Sequence, residues 1–220
     1  MELTAALIEA RTPARVLADR PPPPLPDDLL RRGADAILAE RRGSGIWVFA
    51  YGALIWDHVY KCDEERLGTV QGMARRYCLR DTSSRGTPGR PSLTLGLEPA
   101  DGACAGVAVH LAERGLERNF WAVWKHEMSG GFYGARWVQV ATADGVVDAV
   151  TFVADPLHPL FAGRVPDEEV AAVLASTAGP GGPAADYLRR TADAMRERGT
   201  PDPYLDRLAA MVAARLTPAA

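Results

Sequence analysis

The 220-residue sequence predicts an α+β protein. From Ile46 to about Phe152 it reads as short apolar strands separated by turn signals, interrupted by one helical stretch from Glu117 to Met128. After Pro166 the texture turns helical to the end, and no internal repeat breaks the pattern. At 47% hydrophobic and 24% charged residues, the chain can fill one core of ordinary size.

In chain order, residues 1–44 form an extension, and the main domain is assigned to 45–216. Residues 1–19 hold a short helix limited by Pro13, and RPPPPLPDD is a stiff polyproline spacer. Asp27 or Asp28 caps a second helix with Leu30, Ala34, Ile37 and Leu38 on one face, ended by Gly43 and Gly45. Strands are expected at 46–51, 68–79, 92–98, 105–110, 137–140 and 146–153. Turns are expected at GTPG (86–89) and at the two DG pairs, 101–102 and 144–145. Helices follow at 167–177, 184–198 and 202–216, the last with Asp202 as N-cap and Pro203 in its first turn. AGPGGPA (178–184) reads as a flexible hinge.

Several function classes drop out. A net charge of −3 and a pI near 5.8 give no attraction to nucleic acid or an anionic membrane. The longest apolar run, Ile46–Trp56, is too short to span a bilayer, and MELTAALIEA is a poor signal peptide. Cys62, Cys78 and Cys104 are widely spaced and odd in number, which argues for a reducing, cytoplasmic setting. His58, His110, His126 and His158 are equally scattered. His126-Glu127 opens like a zincin, but Gly130 stands where the second histidine belongs. No metal and no cofactor are expected, and the oligomeric state is not legible.

Two anomalies carry the functional reading. In VFAYGALIW (48–56), Gly52 interrupts a buried strand, where glycine marks a bend, a bulge or a close approach to the backbone. A sharp turn there would leave the N–H groups of residues 52–54 unpaired, a nest for a carboxylate or an oxyanion. In NFWAVWKHEMSGG, Glu127 follows Phe120, Val123 and Trp124 by seven, four and three residues, on their side of a helix that Gly130 and Gly131 terminate. Desolvation and the negative helix end both raise its pKa, as a proton shuttle near neutral pH requires. The plainer alternative is a glutamate that reaches water or pairs with Arg136.

VFAYGALIW resembles the V-F-G-Y-G-S-L-x-W signature of the ChaC-like γ-glutamylcyclotransferases. VQGMARRYCLRDTSSRGTPGRPSLTLGL (70–97), GACAGVAVHL (102–111), VWKHEMSGGFY (123–133) and YLRRTADAMRERGTPDPYLDRL (187–208) resemble the same family in the same order. The resemblance covers about residues 44–216. It implies a small mixed β-barrel flanked by helices. It also implies an enzyme that converts a γ-glutamyl compound, typically glutathione, to 5-oxoproline and Cys-Gly. Carried onto this chain, the loop that holds the γ-glutamyl group is Ala50, Tyr51, Gly52, Ala53, Leu54 and Ile55, the proton-transfer residue is Glu127, and Tyr187 lies near the substrate.

The chemistry suits these parts. The substrate's α-amine attacks its own γ-carbonyl, so folding the substrate supplies much of the acceleration, and one carboxyl group can take and return a proton. Three positions depart from the family pattern: Ala50 for glycine, Ala53 for serine and His126 for arginine. As a helix neighbour of Glu127, His126 is expected to face away as a surface residue. Arg85 could neutralise a substrate carboxylate. Cys78 and Cys104 read as buried small hydrophobes. Two alternatives stay open: the same reaction on another γ-glutamyl amine or peptide, and a non-catalytic module that only binds the γ-glutamyl group.

Overall fold

Five strands built from the apolar middle of the chain close into a barrel in the order β1-β3-β2-β4-β5. They are β1 (Trp47–Ala50), β2 (Cys62–Asp81), β3 (Ser92–Leu111), β4 (Tyr133–Thr142) and β5 (Gly145–Ala154). The computed structural model describes residues 2–12, 23–41 and 45–218, so Pro13, the first three residues of the proline spacer (20–22) and Gly43 lie outside the described residues. The helices are α1 (Ala5–Arg11), α2 (Asp27–Ala39), α3 (Leu116–Met128), α4 (Asp167–Ser176), α5 (Ala184–Glu197) and α6 (Pro203–Leu216).

The chain divides into two compact units, one of Pro24–Arg76 with Gly96–His158, the other of Met1–Pro23, Tyr77–Leu95 and Pro159–Ala220. In the first, β1 runs antiparallel to β3 (Trp47 opposite His110, Ala50 opposite Val107) and parallel to β5 (Trp47 opposite Ala149). β4 and β5 form an antiparallel hairpin from Tyr133 opposite Ala154 to Thr142 opposite Gly145. The last six residues of β5 are all buried, which explains why they are apolar except Thr151, whose hydroxyl donates to the Phe49 carbonyl at 3.1 Å. One face lines the barrel, and Phe152 meets Trp124 of α3 with ring centroids 6.1 Å apart.

α3 is wedged between the barrel and α2. Phe120, Val123 and Trp124 are buried as the periodicity predicts. On its other side Lys125 pairs with Asp27 at 3.1 Å, and the Arg31 guanidinium stacks 4.3 Å from the Trp121 ring. The Leu25 N–H donates to the Ser129 carbonyl at 2.9 Å. α2 begins after Pro26 as N-cap, with Asp27 and Asp28 in its first turn where they favour the helix dipole. Neither caps it by hydrogen bond.

In the second unit α1, α4, α5 and α6 pack on one another around Leu174, Leu188, Leu205, Leu208 and Val212. Asp202 caps α6, accepting from the N–H groups of Tyr204 and Leu205, with Pro203 at the helix start.

Two expectations are corrected here. The segments 92–98 and 105–110 are one continuous strand, β3, and the DG pair at 101–102 lies inside it rather than turning the chain back. Gly102 takes φ +117°, which bends the strand without ending it. AGPGGPA is no flexible hinge: Ala178–Gly179 and Gly182–Pro183 pair antiparallel as β6 and β7. A Cβ at Gly179 would sit 2.3 Å from the Ser84 carbonyl oxygen, so glycine serves close packing at that position.

Candidate active site

The strand β1 ends at Ala50, and the chain turns through Tyr51 and Gly52 into a 3-10 turn at Ala53–Ile55. Gly52 has φ −134° and ψ −128° and stands immediately before that turn. The Ile55 N–H donates to the Gly52 carbonyl at 3.1 Å and the Trp56 N–H to the Ala53 carbonyl at 2.9 Å. Among the described residues, the N–H groups of Gly52, Ala53 and Leu54 meet no acceptor. Three successive donors without acceptors at the mouth of a turn are an arrangement to which a carboxylate or an oxyanion could bind.

Buried contacts hold this bend. The Tyr51 hydroxyl donates to the Phe152 carbonyl at 2.6 Å. Arg75, 4% exposed, donates from Nη1 to the Tyr51 carbonyl at 2.5 Å and from Nη2 to the Ala105 carbonyl. The Tyr60 hydroxyl donates to the Leu54 carbonyl at 2.8 Å. Ala50, Leu54 and Ile55 turn buried side chains into the core, so their contribution to the cradle is backbone; Ala53 is half-buried.

Glu127 sits in the last turn of α3 with its side chain 13% exposed. Burial pushes its pKa up to about 8. Arg136, the base considered for it, makes no ion pair with it among the described residues. Its charge contact is instead with His126, whose Nε2 lies 3.9 Å from Glu127 Oε1. His126 is exposed, as expected of a surface residue, but its tip approaches Glu127 rather than facing away from it. Burial lowers the His126 pKa, opposed by the charge of Asp57 on the segment just past the 3-10 turn.

The bend and Glu127 therefore occupy adjoining elements of one unit. Phe152 accepts the Tyr51 hydroxyl through its carbonyl and packs its ring on Trp124, three residues before Glu127. Tyr187, on α5 in the other unit, is buried, edge-on to Tyr77 at 6.3 Å, with the Arg85 guanidinium 5.9 Å from its ring. Arg85 donates weakly to the Pro183 carbonyl at 3.5 Å, and burial lowers its pKa.

Arg75 was missed by sequence reasoning. Its signal was the pair Arg75-Arg76 inside an apolar strand, where the pleat sends neighbouring side chains to opposite faces, so one of two arginines must point inward. Arg76 takes the other face and pairs with Glu98 at 2.9 Å.

A family model described as ChaC-like protein matches residues 46–215. The chain is 38% identical over 155 residues to the glutathione-specific gamma-glutamylcyclotransferase of Escherichia coli (strain K12), covering 70% of this chain and 67% of that one. It is 32% identical over 173 residues to glutathione-specific gamma-glutamylcyclotransferase 1 of Homo sapiens, covering 76% and 77% of the two chains. Among solved structures, the yeast gamma-glutamyl cyclotransferase specific to glutathione matches with a TM-score of 0.70 at 20% identity, over 79% of this chain and 100% of that one. That likeness establishes the barrel fold.

Proposed function

This chain belongs to the ChaC-like protein family, and we propose that it is a γ-glutamylcyclotransferase, converting glutathione to 5-oxoproline and Cys-Gly. The observation that carries the reading is the pairing, in one unit, of three unsatisfied backbone donors at residues 52–54 with a buried carboxyl group whose pKa is about 8.

In the proposed reaction the γ-glutamyl group lies along Ala50–Ile55. The N–H groups of Gly52, Ala53 and Leu54 receive either the α-carboxylate or the oxygen that gains charge as the ring closes. The α-amine attacks the γ-carbonyl carbon, which breaks the amide bond to the cysteinyl nitrogen. Glu127 takes a proton from the attacking nitrogen and returns it to the departing one. A carboxyl with a pKa near 8 serves both roles, being neither too weak a base nor too weak an acid near neutral pH. Tyr187 stays in the substrate-binding set on the resemblance alone.

The departure at Ala53 removes a hydroxyl but leaves the backbone donor. One neutral hydrogen bond is worth about 0.5–1.5 kcal/mol net, so the change weakens binding rather than abolishing turnover. The reaction domain is proposed as residues 45–216, in line with the family match at 46–215. Cytoplasmic residence is proposed with it, supported by three cysteines that remain free thiols.

The test is to incubate the purified protein with glutathione and with a panel of other γ-glutamyl amines and peptides, quantifying 5-oxoproline. Release from glutathione with equimolar Cys-Gly supports the proposal. Release only from other members of the panel would move the substrate assignment, and tight binding without any release would leave a binding module.

A further inference from the structure

The reaction proposed above moves more protons than one carboxyl group can hold. The substrate's ammonium carries three hydrogens and the lactam nitrogen keeps one, so two protons leave it. The departing nitrogen starts with one hydrogen and ends, as a free ammonium, with three. Glu127 can pass one proton directly from the attacking to the departing nitrogen. The other must reach solvent before attack and return from it afterwards.

Glu127 is poorly placed to exchange protons with water by itself, since only 13% of its side chain is exposed. His126 is the more exposed neighbour of the two. Its Nε2 is 3.9 Å from Glu127 Oε1, a gap that one bridging water spans, and its side chain is 32% exposed. The surrounding charges leave it free to work. On its own helix Lys125 is engaged with Asp27 of α2 at 3.1 Å, and on β4 Arg136 forms no ion pair among the described residues. Past the 3-10 turn, the charge of Asp57 favours its protonated form, against the larger effect of burial. An imidazole held mainly neutral at pH 7 can accept a proton and release it to water.

We propose that His126 is a proton-relay residue, acting through Glu127 and connecting it to solvent. Glu127 takes the first proton from the substrate ammonium and hands it to His126 Nε2, which releases it to water. The freed lone pair then forms the bond to the γ-carbonyl carbon while the carbonyl π pair moves to oxygen, and Glu127 takes the second proton from the same nitrogen. When the carbonyl re-forms, the bond to the cysteinyl nitrogen breaks, and that nitrogen takes the proton from Glu127. The released amine gains its last proton from water. No oxidant, metal or covalent intermediate enters the balance. The arginine that the family pattern places here could not perform this transfer, because it does not lose its proton in this pH range.

The inference rests on the cyclotransferase reading, and the experiment separates the two. Turnover of glutathione is measured for the wild type and for His126→Gln in a weak buffer, with imidazole then titrated in, across pH 6–9. The wild type is expected to be insensitive to imidazole. His126→Gln is expected to lose on the order of tenfold or more in kcat with KM little changed, and to recover most of it as imidazole rises. His126→Ala, which leaves space for the diffusible base, should recover at least as fully. Unchanged kcat in His126→Gln, or a loss that imidazole does not repair in either variant, would overturn the relay. A wild type that yields no 5-oxoproline from glutathione would overturn the reading beneath it.

Discussion

The phenol of Tyr51 donates a 2.6 Å hydrogen bond to the carbonyl of Phe152, and so fixes the bend after β1 to the strand on which the Glu127 helix packs. Replacing Tyr51 by Phe leaves that buried carbonyl short of a donor at a cost of about 1–3 kcal/mol. In a chain of this size the melting temperature should fall by roughly 2–10 °C. The accompanying loss of cradle geometry should raise KM for the γ-glutamyl substrate more than it lowers kcat. Thermal melts and initial-rate kinetics on Tyr51→Phe check both.

Arg75 holds the same bend from the opposite side through the Tyr51 and Ala105 carbonyls. Hydrogen bonds from a charged donor are worth about 1.5–3 kcal/mol each, less what methionine regains by burial. Arg75→Met should therefore destabilise by about 2–4 kcal/mol and reduce kcat/KM at least tenfold. Arg75→Lys should do almost as badly, because one ammonium cannot reproduce the planar fork that spans two carbonyls. Denaturant unfolding of both variants, followed by rate measurement, tests the pair.

α2 lies outside the family match, yet it is closely fitted to the Glu127 helix. A Cβ added at Gly33 would sit 2.8 Å from Trp124 Cζ2. Trp124 is 2% exposed, so the added bulk must displace a buried ring or the helix that carries it. Gly33→Val should cost about 1–3 kcal/mol by overpacking and change the tryptophan emission. An unchanged melting curve for Gly33→Val would show that α2 can move away from α3 without consequence.

Glu127 makes stability depend on pH in a stated direction. Its carboxyl binds a proton more tightly in the folded state, at about 8, than its ordinary value of 4.5. The stabilising contribution is complete below about pH 4.5 and is lost as pH rises through 8. Glu127→Gln lacks this dependence, so it should match the wild type near pH 4.5 and exceed it increasingly toward pH 8, by at most about 5 kcal/mol. Unfolding free energies of both proteins at several pH values decide it; a difference that stays constant with pH would rule out the buried, neutral carboxyl.

The strands of the barrel are legible in the sequence because β1 and the end of β5, buried on both faces, read as apolar runs interrupted only by Thr151. Glu127 is legible because its spacing from Phe120, Val123 and Trp124 places it on a face that must be buried. Three features were not. Gly102 looks like a turn residue but bends a long barrel strand, a distinction that local sequence does not encode. Gly179 and Gly181 read as flexibility, whereas both press against Ser84, a contact made across the fold. His126 and Glu127 diverge by about 100° as helix neighbours, and only their side-chain torsions bring the tips to 3.9 Å.

The central claim is that Glu127 moves the proton for ring closure. The most direct measurement is 5-oxoproline released from glutathione by Glu127→Gln beside the wild type, with glutathione binding to the variant measured by calorimetry. The account predicts that the variant still binds glutathione within about threefold of the wild type and loses about 10²–10⁴-fold or more in kcat. A variant that forms 5-oxoproline at a rate close to the wild type would contradict it.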